Sequence, residues 1–170
     1  MNRTDLKDDW PLPNNYLIEL GRLSALWGVL ESTVDLSINK LACYASVYDY
    51  RAAVMLAHAN FKQRADILET LLEQTCMEHA ELRRYDRVMK LISRSQKGRN
   101  KFMHNTLYSN PETGHIEFAS MSARGKLRTR TEIIRFEELK VVSAVIHEAT
   151  CALHSLVTLH NIKPIWDRGD

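Results

Sequence analysis

The longest amphipathic pattern in the chain is NNYLIELGRLSALWGVLESTVDLSINKLACYA, residues 14–45. Large apolar side chains recur in it every three or four positions, from Tyr16 through Trp27 to Leu41. That spacing puts them on one face of an α-helix, with polar side chains on the other face. The pattern therefore predicts a long helix that contributes one side of a helical core.

The same patterning continues along the chain and predicts an all-α fold class. After a loose arm over 1–13, we expect a first helix that Asn14 or Asn15 caps and that ends near Ala45. A helical region over 51–76, broken near Asn60, and a third helix from about Glu78 follow. A turn over 110–114 and strands over 115–121 and 126–134 then precede a last helix, which Asn161 and Pro164 end. We expect a four- or five-helix up-and-down bundle, with a β-hairpin at about 115–134 inserted before the last helix. Residues 14–162 would form the domain and 163–170 a tail.

Composition narrows the class of protein. The chain has 170 residues, 45% of them hydrophobic and 26% charged, as in one ordinary globular domain. No segment is typical of a signal peptide or a membrane span, so we expect a cytoplasmic protein that does not bind a membrane. Three scattered cysteines, Cys43, Cys76 and Cys151, favour neither disulfides nor a zinc cluster, and we expect no metal and no cofactor.

One short motif carries chemistry, the segment from Arg99 to His104 with the sequence RNKFMH. Arginine is a permanent cation whose planar fork matches a phosphate, and histidine exchanges protons near neutral pH. With Asn100 required after the arginine, chance supplies only about 0.03 such matches in a chain of this composition. A second Arg–His pair, Arg51 and His58, has an alanine after its arginine, and we give it less weight.

The motif resembles R-x4-6-H of the HEPN superfamily, in which a polar residue, often Asn, follows the arginine. The resemblance implies a helical bundle, a metal-independent endoribonuclease, and a homodimer whose two motifs meet in one groove. In such an enzyme His104 would transfer protons, Arg99 would stabilise the charge that develops on phosphate, and Asn100 would orient the arginine or hold the phosphate. A toxin or anti-phage effector, with an antitoxin or regulatory protein as partner, fits this interpretation.

Two groups of basic residues are candidates for RNA binding. On the motif helix, helical spacing aligns six of them on one face: Arg83, Arg87, Lys90, Arg94, Lys97 and Lys101. Four more lie in the predicted hairpin: Arg124, Lys126, Arg128 and Arg130, the last three on one face of a strand. The alternatives are a solvated helix face and a charged edge strand that deters aggregation.

Helical geometry puts Arg99 on the apolar side of its helix, away from the basic face. The alternative to a catalytic role there is a structural ion pair, with Glu31 as the candidate partner. On an ideal helix, Arg99 and His104 diverge by about 140°. We therefore expect either a deformation near Gly98 or a second subunit that completes the site, with the homodimer formed along the motif helix.

Three functions remain open at this point. The first is a ribonuclease that acts on RNA by 2′-OH attack and leaves 2′,3′-cyclic phosphate ends. The second is a non-catalytic HEPN-like module that binds RNA or a nucleotide. The third is a helical interaction protein in which Arg99 is structural.

Overall fold

In the computed structural model, the described residues are 12–42, 50–123 and 125–169. The helices are α1 (Asn14–Leu41), α2 (Tyr50–Leu56), α3 (Phe61–Thr75), α4 (Tyr85–Met103) and α5 (Phe136–Thr158), with short 3₁₀ turns at Ala80–Arg84 and Ile165–Asp167. The strands are β1 (Thr106–Ser109), β2 (Ile116–Ser122) and β3 (Arg128–Ile133). The protein is thus mainly helical with a small antiparallel sheet, which confirms the expected class in its coarse form.

Helix α1 is the long amphipathic helix that the sequence predicts. Its buried face includes Leu23, Leu30 and Val34, none of which exposes any surface. It packs mainly against α5 and α3. The helix begins at Asn14 with Pro13 in the cap position, so the predicted asparagine cap is wrong. It ends at Leu41, and the predicted continuation past 42 lies outside the described residues.

The predicted break near Asn60 is confirmed and has a clear physical cause. The Asn60 side chain accepts a hydrogen bond from the Gln63 amide at 3.1 Å, and the Gln63 side chain accepts one from the Asn60 amide at 2.8 Å. This reciprocal pair is a capping box, which satisfies two amides that the first turn of a helix leaves free. It separates α2 from α3 and orients the start of α3.

Helices α4 and α5 approach closely at Gly98. A Cβ added to this glycine would lie 2.8 Å from both methyl groups of Val142 on α5. Ser95, one turn earlier and completely buried, directs its hydroxyl to the Leu91 carbonyl at 2.8 Å. Small residues at these two positions let the two helices pack together. Gly98 lies inside a continuous helix, so the deformation that we expected there is absent from α4.

The sheet contains one more strand than the sequence analysis predicts. Its order is β1-β2-β3, with β2 paired to both neighbours in antiparallel register. The hairpin of β2 and β3 corresponds to the predicted one, and the turn before it is also present, with Gly114 at φ 69°. The missed strand β1 has only four residues, too few for alternation to be distinguished from a loop.

The sheet packs one face on the helices. Leu107, Ile116 and Phe118 lie on this face and are buried. On the opposite face, Glu117 is buried with 8% of its surface exposed, and its carboxylate accepts hydrogen bonds from the Tyr108 hydroxyl at 2.8 Å and the Asn110 amide at 2.9 Å. The hydrogen bond from the Tyr108 hydroxyl to Glu117 is the main reason why the pKa of Tyr108 lies above its ordinary value.

After α5 the chain turns back along the helix. The turn is at Leu159, whose φ is 61°, so the helix stops before the predicted Asn161. Ser155 then hydrogen-bonds to the amide of Ile162 at 2.8 Å, and the Nε2 of His147 accepts from the Ile165 amide at 3.1 Å. The segment 160–169 is therefore held against α5 rather than extended away from it.

By length and composition alone, α5 could cross a membrane. An 18-residue window in it has a mean hydropathy of 1.3, and 33% of that window is buried within the structure. No other helix in the described ranges meets the same criterion. The helix also carries Glu148 and His154, and it packs against both α1 and α4.

Candidate active site

The motif lies at the carboxyl end of α4, where the helix stops. Met103 is the last helical residue, and His104 adopts φ −110° and ψ −2° while its amide still bonds to the Asn100 carbonyl at 3.3 Å. The Asn105 side chain donates to the Lys101 carbonyl at 2.7 Å. These bonds satisfy two of the carbonyl groups that a helix end leaves free.

Arg99 and His104 meet within a single chain. The Nη1 of Arg99 lies 2.6 Å from the Nε2 of His104 and donates to the Oδ1 of Asn100 at 3.3 Å. Because a guanidinium only donates hydrogen bonds, Nε2 is the acceptor in this contact. All three motif residues are therefore linked through one nitrogen of the arginine.

This contact corrects the expected divergence of the two side chains. The angle of about 140° applies to two residues inside an ideal helix. His104 lies one residue beyond the helix, with ψ near 0°, so its ring does not follow the helical direction. The structure thus needs neither a distorted helix nor a second subunit to bring the arginine and the histidine together.

Two aromatic side chains, Trp27 and Phe61, pack beside Arg99. The guanidinium carbon lies 5.4 Å from the ring centroid of Trp27 on α1, and Trp27 in turn packs on Phe61 with centroids 4.3 Å apart. A cation over an aromatic face is favourable, more so when it is partly desolvated. The Nε of Arg99 is buried without a hydrogen-bond partner in the described part of the chain. Arg99 is thus held in position by packing, as predicted for the apolar side of α4.

A cleft of about 290 Å³ opens beside these residues. Three helices form its walls. The motif residues and Gln96 of α4 form one wall, Trp27 and Glu31 of α1 form the second, and Asn60, Phe61 and Lys62 at the start of α3 form the third. The sequence analysis identified Asn60 only as a helix cap. The remaining wall residues carry no motif, and only the fold brings them together.

The ion pair of Arg99 with Glu31, the structural alternative, is not formed in the described residues. Arg99 and Glu31 line the same cleft, yet no salt bridge joins them in the described structure. Arg99 instead contacts His104, Asn100 and Trp27. This removes the specific partner on which the structural alternative for Arg99 was based.

Most of the predicted basic face of α4 is present and exposed. Four of its members project from the helix surface: Arg87, Lys90, Arg94 and Lys97. Arg83 belongs to the 3₁₀ turn before the helix instead. Acidic residues adjoin part of this face, because Lys90 lines a groove with Asp66, Glu69 and Asp86. The charge is therefore mixed at one border of this basic face.

Lys101 does not belong to the exposed basic face, contrary to the prediction. Its Nζ binds the carboxylates of Glu132 on β3 at 2.5 Å and Glu138 on α5 at 3.1 Å. Burial lowers the pKa of Lys101, but the two hydrogen bonds outweigh it and leave that pKa above its ordinary value. The same bond from Lys101 lowers the pKa of Glu132. Lys101 thus joins three elements and is committed to acidic partners within the chain.

The basic residues of the hairpin do not form the expected single row. Strand β3 begins at Arg128, so Lys126 lies in the turn, next to Gly125 at φ 75°, and the prediction that it shares a strand face is wrong. Arg130 is 3.3 Å from the Glu132 carboxylate. Arg128 is exposed, and Arg124 lies outside the described residues. None of the described hairpin residues lines the cleft beside His104.

Two further findings complete the description of the site. In the described ranges no group of three or more His, Cys, Asp or Glu residues is arranged to hold a metal ion. Comparison of the chain with protein-family models, with curated proteins and with solved structures gave no match.

Proposed function

We propose that the protein is a cytoplasmic, metal-independent endoribonuclease of the HEPN type, with an up-and-down helical bundle as its scaffold. The observation that carries the proposal is the 2.6 Å contact between Arg99 Nη1 and His104 Nε2 at the edge of an open cleft. A cation with a planar fork and an imidazole are adjacent there, with Asn100 as a third polar group. These are the groups that RNA cleavage by its own 2′-OH requires.

The proposed reaction is an internal displacement at phosphorus. The ribose 2′-oxygen attacks the adjacent phosphate, a P–O2′ bond forms, and the P–O5′ bond breaks, which leaves a 2′,3′-cyclic phosphate and a 5′-OH. The Nε2 of His104 takes the 2′-OH proton once Arg99 turns its N–H groups to the phosphate. Arg99 then stabilises the additional charge on the pentacoordinate phosphorus, and Asn100 donates its amide to a phosphate oxygen.

The leaving 5′-oxygen needs a proton, and we propose that the partner's His104 supplies it in a homodimer, as an imidazolium whose own Arg99 has turned to the phosphate. The homodimer is proposed from the resemblance to HEPN proteins alone, because a single chain already brings Arg99 and His104 together. A contact along the whole of α4 would oppose two faces of like charge. We therefore place the two-fold contact at the carboxyl end of α4, where Met103 and Asn100 are exposed. The basic faces and the hairpins would then flank the RNA.

The test is RNA cleavage by the purified protein in EDTA. We expect products with 2′,3′-cyclic phosphate ends and no cleavage of DNA, which lacks the 2′-OH. Arg99→Ala and His104→Ala should each lower the cleavage rate by about 10²-fold or more. Arg51→Ala and His58→Ala, which alter the second Arg–His pair of the chain, are the matched controls and should cleave like the unaltered protein.

One observation favours a second candidate, a binding module without catalysis. The Nε2 of His104 is occupied by Arg99, so the imidazole has no free lone pair in this conformation. If that contact persists when RNA binds, the cleft holds a phosphate but performs no chemistry. Intact RNA that is shifted in a gel by the unaltered protein, and not by Arg99→Ala, would support this function and contradict the ribonuclease.

A further inference from the structure

The cleft contains a carboxylate, that of Glu31, which the proposed mechanism does not use. Glu31 follows Trp27 by one helical turn on α1, so the two side chains are neighbours on the same face. Since the guanidinium of Arg99 lies over the Trp27 ring, Glu31 lines the cleft beside the reactive groups rather than at a distance from them. It is half-buried.

Within the described residues Glu31 has neither an ion pair nor a hydrogen-bond partner for its side chain. Two cations line the same cleft, but each of them binds side chains other than Glu31. Arg99 donates to His104 and Asn100, and Lys62 binds both oxygens of Asp66 at 2.9 and 3.0 Å. A half-buried carboxylate without a partner is unfavourable, and a ligand that brings N–H donors into the cleft would satisfy it.

The chemistry of a carboxylate restricts that ligand. A carboxylate accepts hydrogen bonds and repels phosphate, so Glu31 is suited to a base rather than to the RNA backbone. Among the four RNA bases, only guanine presents two adjacent N–H donors, N1–H and N2–H, on its Watson–Crick edge. Adenine, cytosine and uracil each present one donor beside an acceptor, which a carboxylate opposes. Unpaired bases in single-stranded RNA are recognised through this edge.

We propose that Glu31 selects guanine, by accepting N1–H and N2–H of a base next to the scissile phosphate. The proposal rests on the proposed ribonuclease function and names its specificity-determining residue. The cleft volume of about 290 Å³ is close to the ~300 Å³ lower limit of small-ligand pockets, so it has room for one base. Asn60 and Gln96 line the other walls of the same cleft.

The experiment has a cleavage arm and a binding arm. In the first, an end-labelled single-stranded RNA containing all four bases is cleaved, and the sites are mapped for the unaltered protein, for Glu31→Gln and for the matched control Glu73→Gln. Glu73 is exposed on α3 and does not line the cleft. In the second, calorimetry measures binding of the 3′- and 5′-monophosphates of the four nucleosides to His104→Asn and to the double variant with Glu31→Gln.

We expect cleavage next to guanosine and a preference for guanosine monophosphate on the order of tenfold or more, as for a two-bond contact to one base. Glu31→Gln should abolish the preference in both arms while keeping the thermal unfolding midpoint, and Glu73→Gln should leave it unchanged. Cleavage without guanine preference, or a preference that survives Glu31→Gln, would overturn the proposal for Glu31. If no protein cleaves RNA, the ribonuclease proposal fails, and the binding arm alone decides whether Glu31 selects guanine for a binding module. Equal affinity for all four nucleotides would then reject it.

Discussion

A single nitrogen of Arg99 sets the chemical state of the proposed site. Because the guanidinium can only donate, its contact with His104 uses the Nε2 lone pair as the acceptor. A phosphate that enters the cleft competes for the same N–H groups with two or three anionic oxygens. In the proposed mechanism, arrival of the substrate would free the imidazole nitrogen that acts as the base.

Gly98 provides a residue-scale test of the packing that holds this site. Gly98→Ala should lower the free energy of unfolding by about 1–3 kcal/mol, because the new Cβ would be 2.8 Å from Val142 and must push α4 from α5. Urea unfolding followed by circular dichroism measures the change.

Gly28→Ala on α1 is the matched control for that substitution. An added Cβ there meets nothing within 4 Å, and the position is in the middle of a helix. This variant should raise the unfolding free energy by about 0.5–1 kcal/mol, since alanine favours a helix over glycine. Equal effects at the two glycines would show that helix propensity, not the contact with Val142, governs position 98.

At the scale of elements, regular patterns were predictable and end effects were not. The apolar stripe of α1, the break at Asn60 and the turn before β2 all follow from side-chain spacing or local hydrogen bonding. The convergence of Arg99 with His104 depends on where α4 stops, and element ends are the least predictable part of a sequence. The partners of Lys101 come from β3 and α5, and no local pattern relates them.

The cluster of Lys101, Glu132 and Glu138 should make the junction of these elements sensitive to pH. Lys101→Met should lower the free energy of unfolding at pH 7 by about 1 kcal/mol, which allows for the partial exposure of all three side chains. Since folding lowers the pKa of Glu132, its contribution is present above the unfolded value of about 4.3 and is lost as the pH falls through the lower folded value.

Urea unfolding of the unaltered protein and Lys101→Met across pH 7 to 2 measures this dependence. The difference between them should shrink at the acid end. Lys62→Met is the control, because Lys62 and Asp66 form an ion pair with both side chains more than half exposed, and it should change stability less. A difference that stays constant with pH would mean that the Lys101 stem, rather than its charge, stabilises the junction.

A separate prediction about RNA affinity follows from the exposed basic face of α4. Lys90→Ala or Arg94→Ala should weaken binding to all RNA sequences and reduce the slope of log affinity against log salt by about 1, while a bound RNA is cleaved at the usual rate. Filter binding between 50 and 300 mM salt measures it, with Lys101→Met as the comparison. That variant should change the slope less, since Lys101 is already neutralised by two carboxylates. An unchanged slope for Arg94→Ala would exclude this face from the RNA path.

At the scale of the whole molecule, the carboxyl-terminal segment is held to α5 through a titratable side chain. Burial, and then the charge of Arg168, place the pKa of His147 below its ordinary value. Protonation would also remove the acceptor that binds the Ile165 amide. The contribution of His147 is therefore present above the unfolded value of about 6.5 and is lost as the pH falls through the lower folded value.

We expect the unaltered protein to lose about 1 kcal/mol of stability through this residue between pH 7.5 and 4.5, the typical net value of one hydrogen bond. His147→Gln cannot titrate and should show a smaller loss over the same range in thermal unfolding. His58→Gln, at an exposed position, is the control and should behave like the unaltered protein. An identical pH profile for His147→Gln would assign the acid sensitivity to other groups.

Asn60 has a consequence for how this protein can change over evolution. The residue that caps α3 also forms part of the cleft wall, so one substitution there changes both the helix cap and the cleft. A mutation that reshapes the cleft at this position also removes a helix cap, which typically lowers stability by about 1 kcal/mol. A change in ligand preference, natural or engineered, should therefore begin at Gln96, whose side chain also lines the cleft but caps no helix in the described structure.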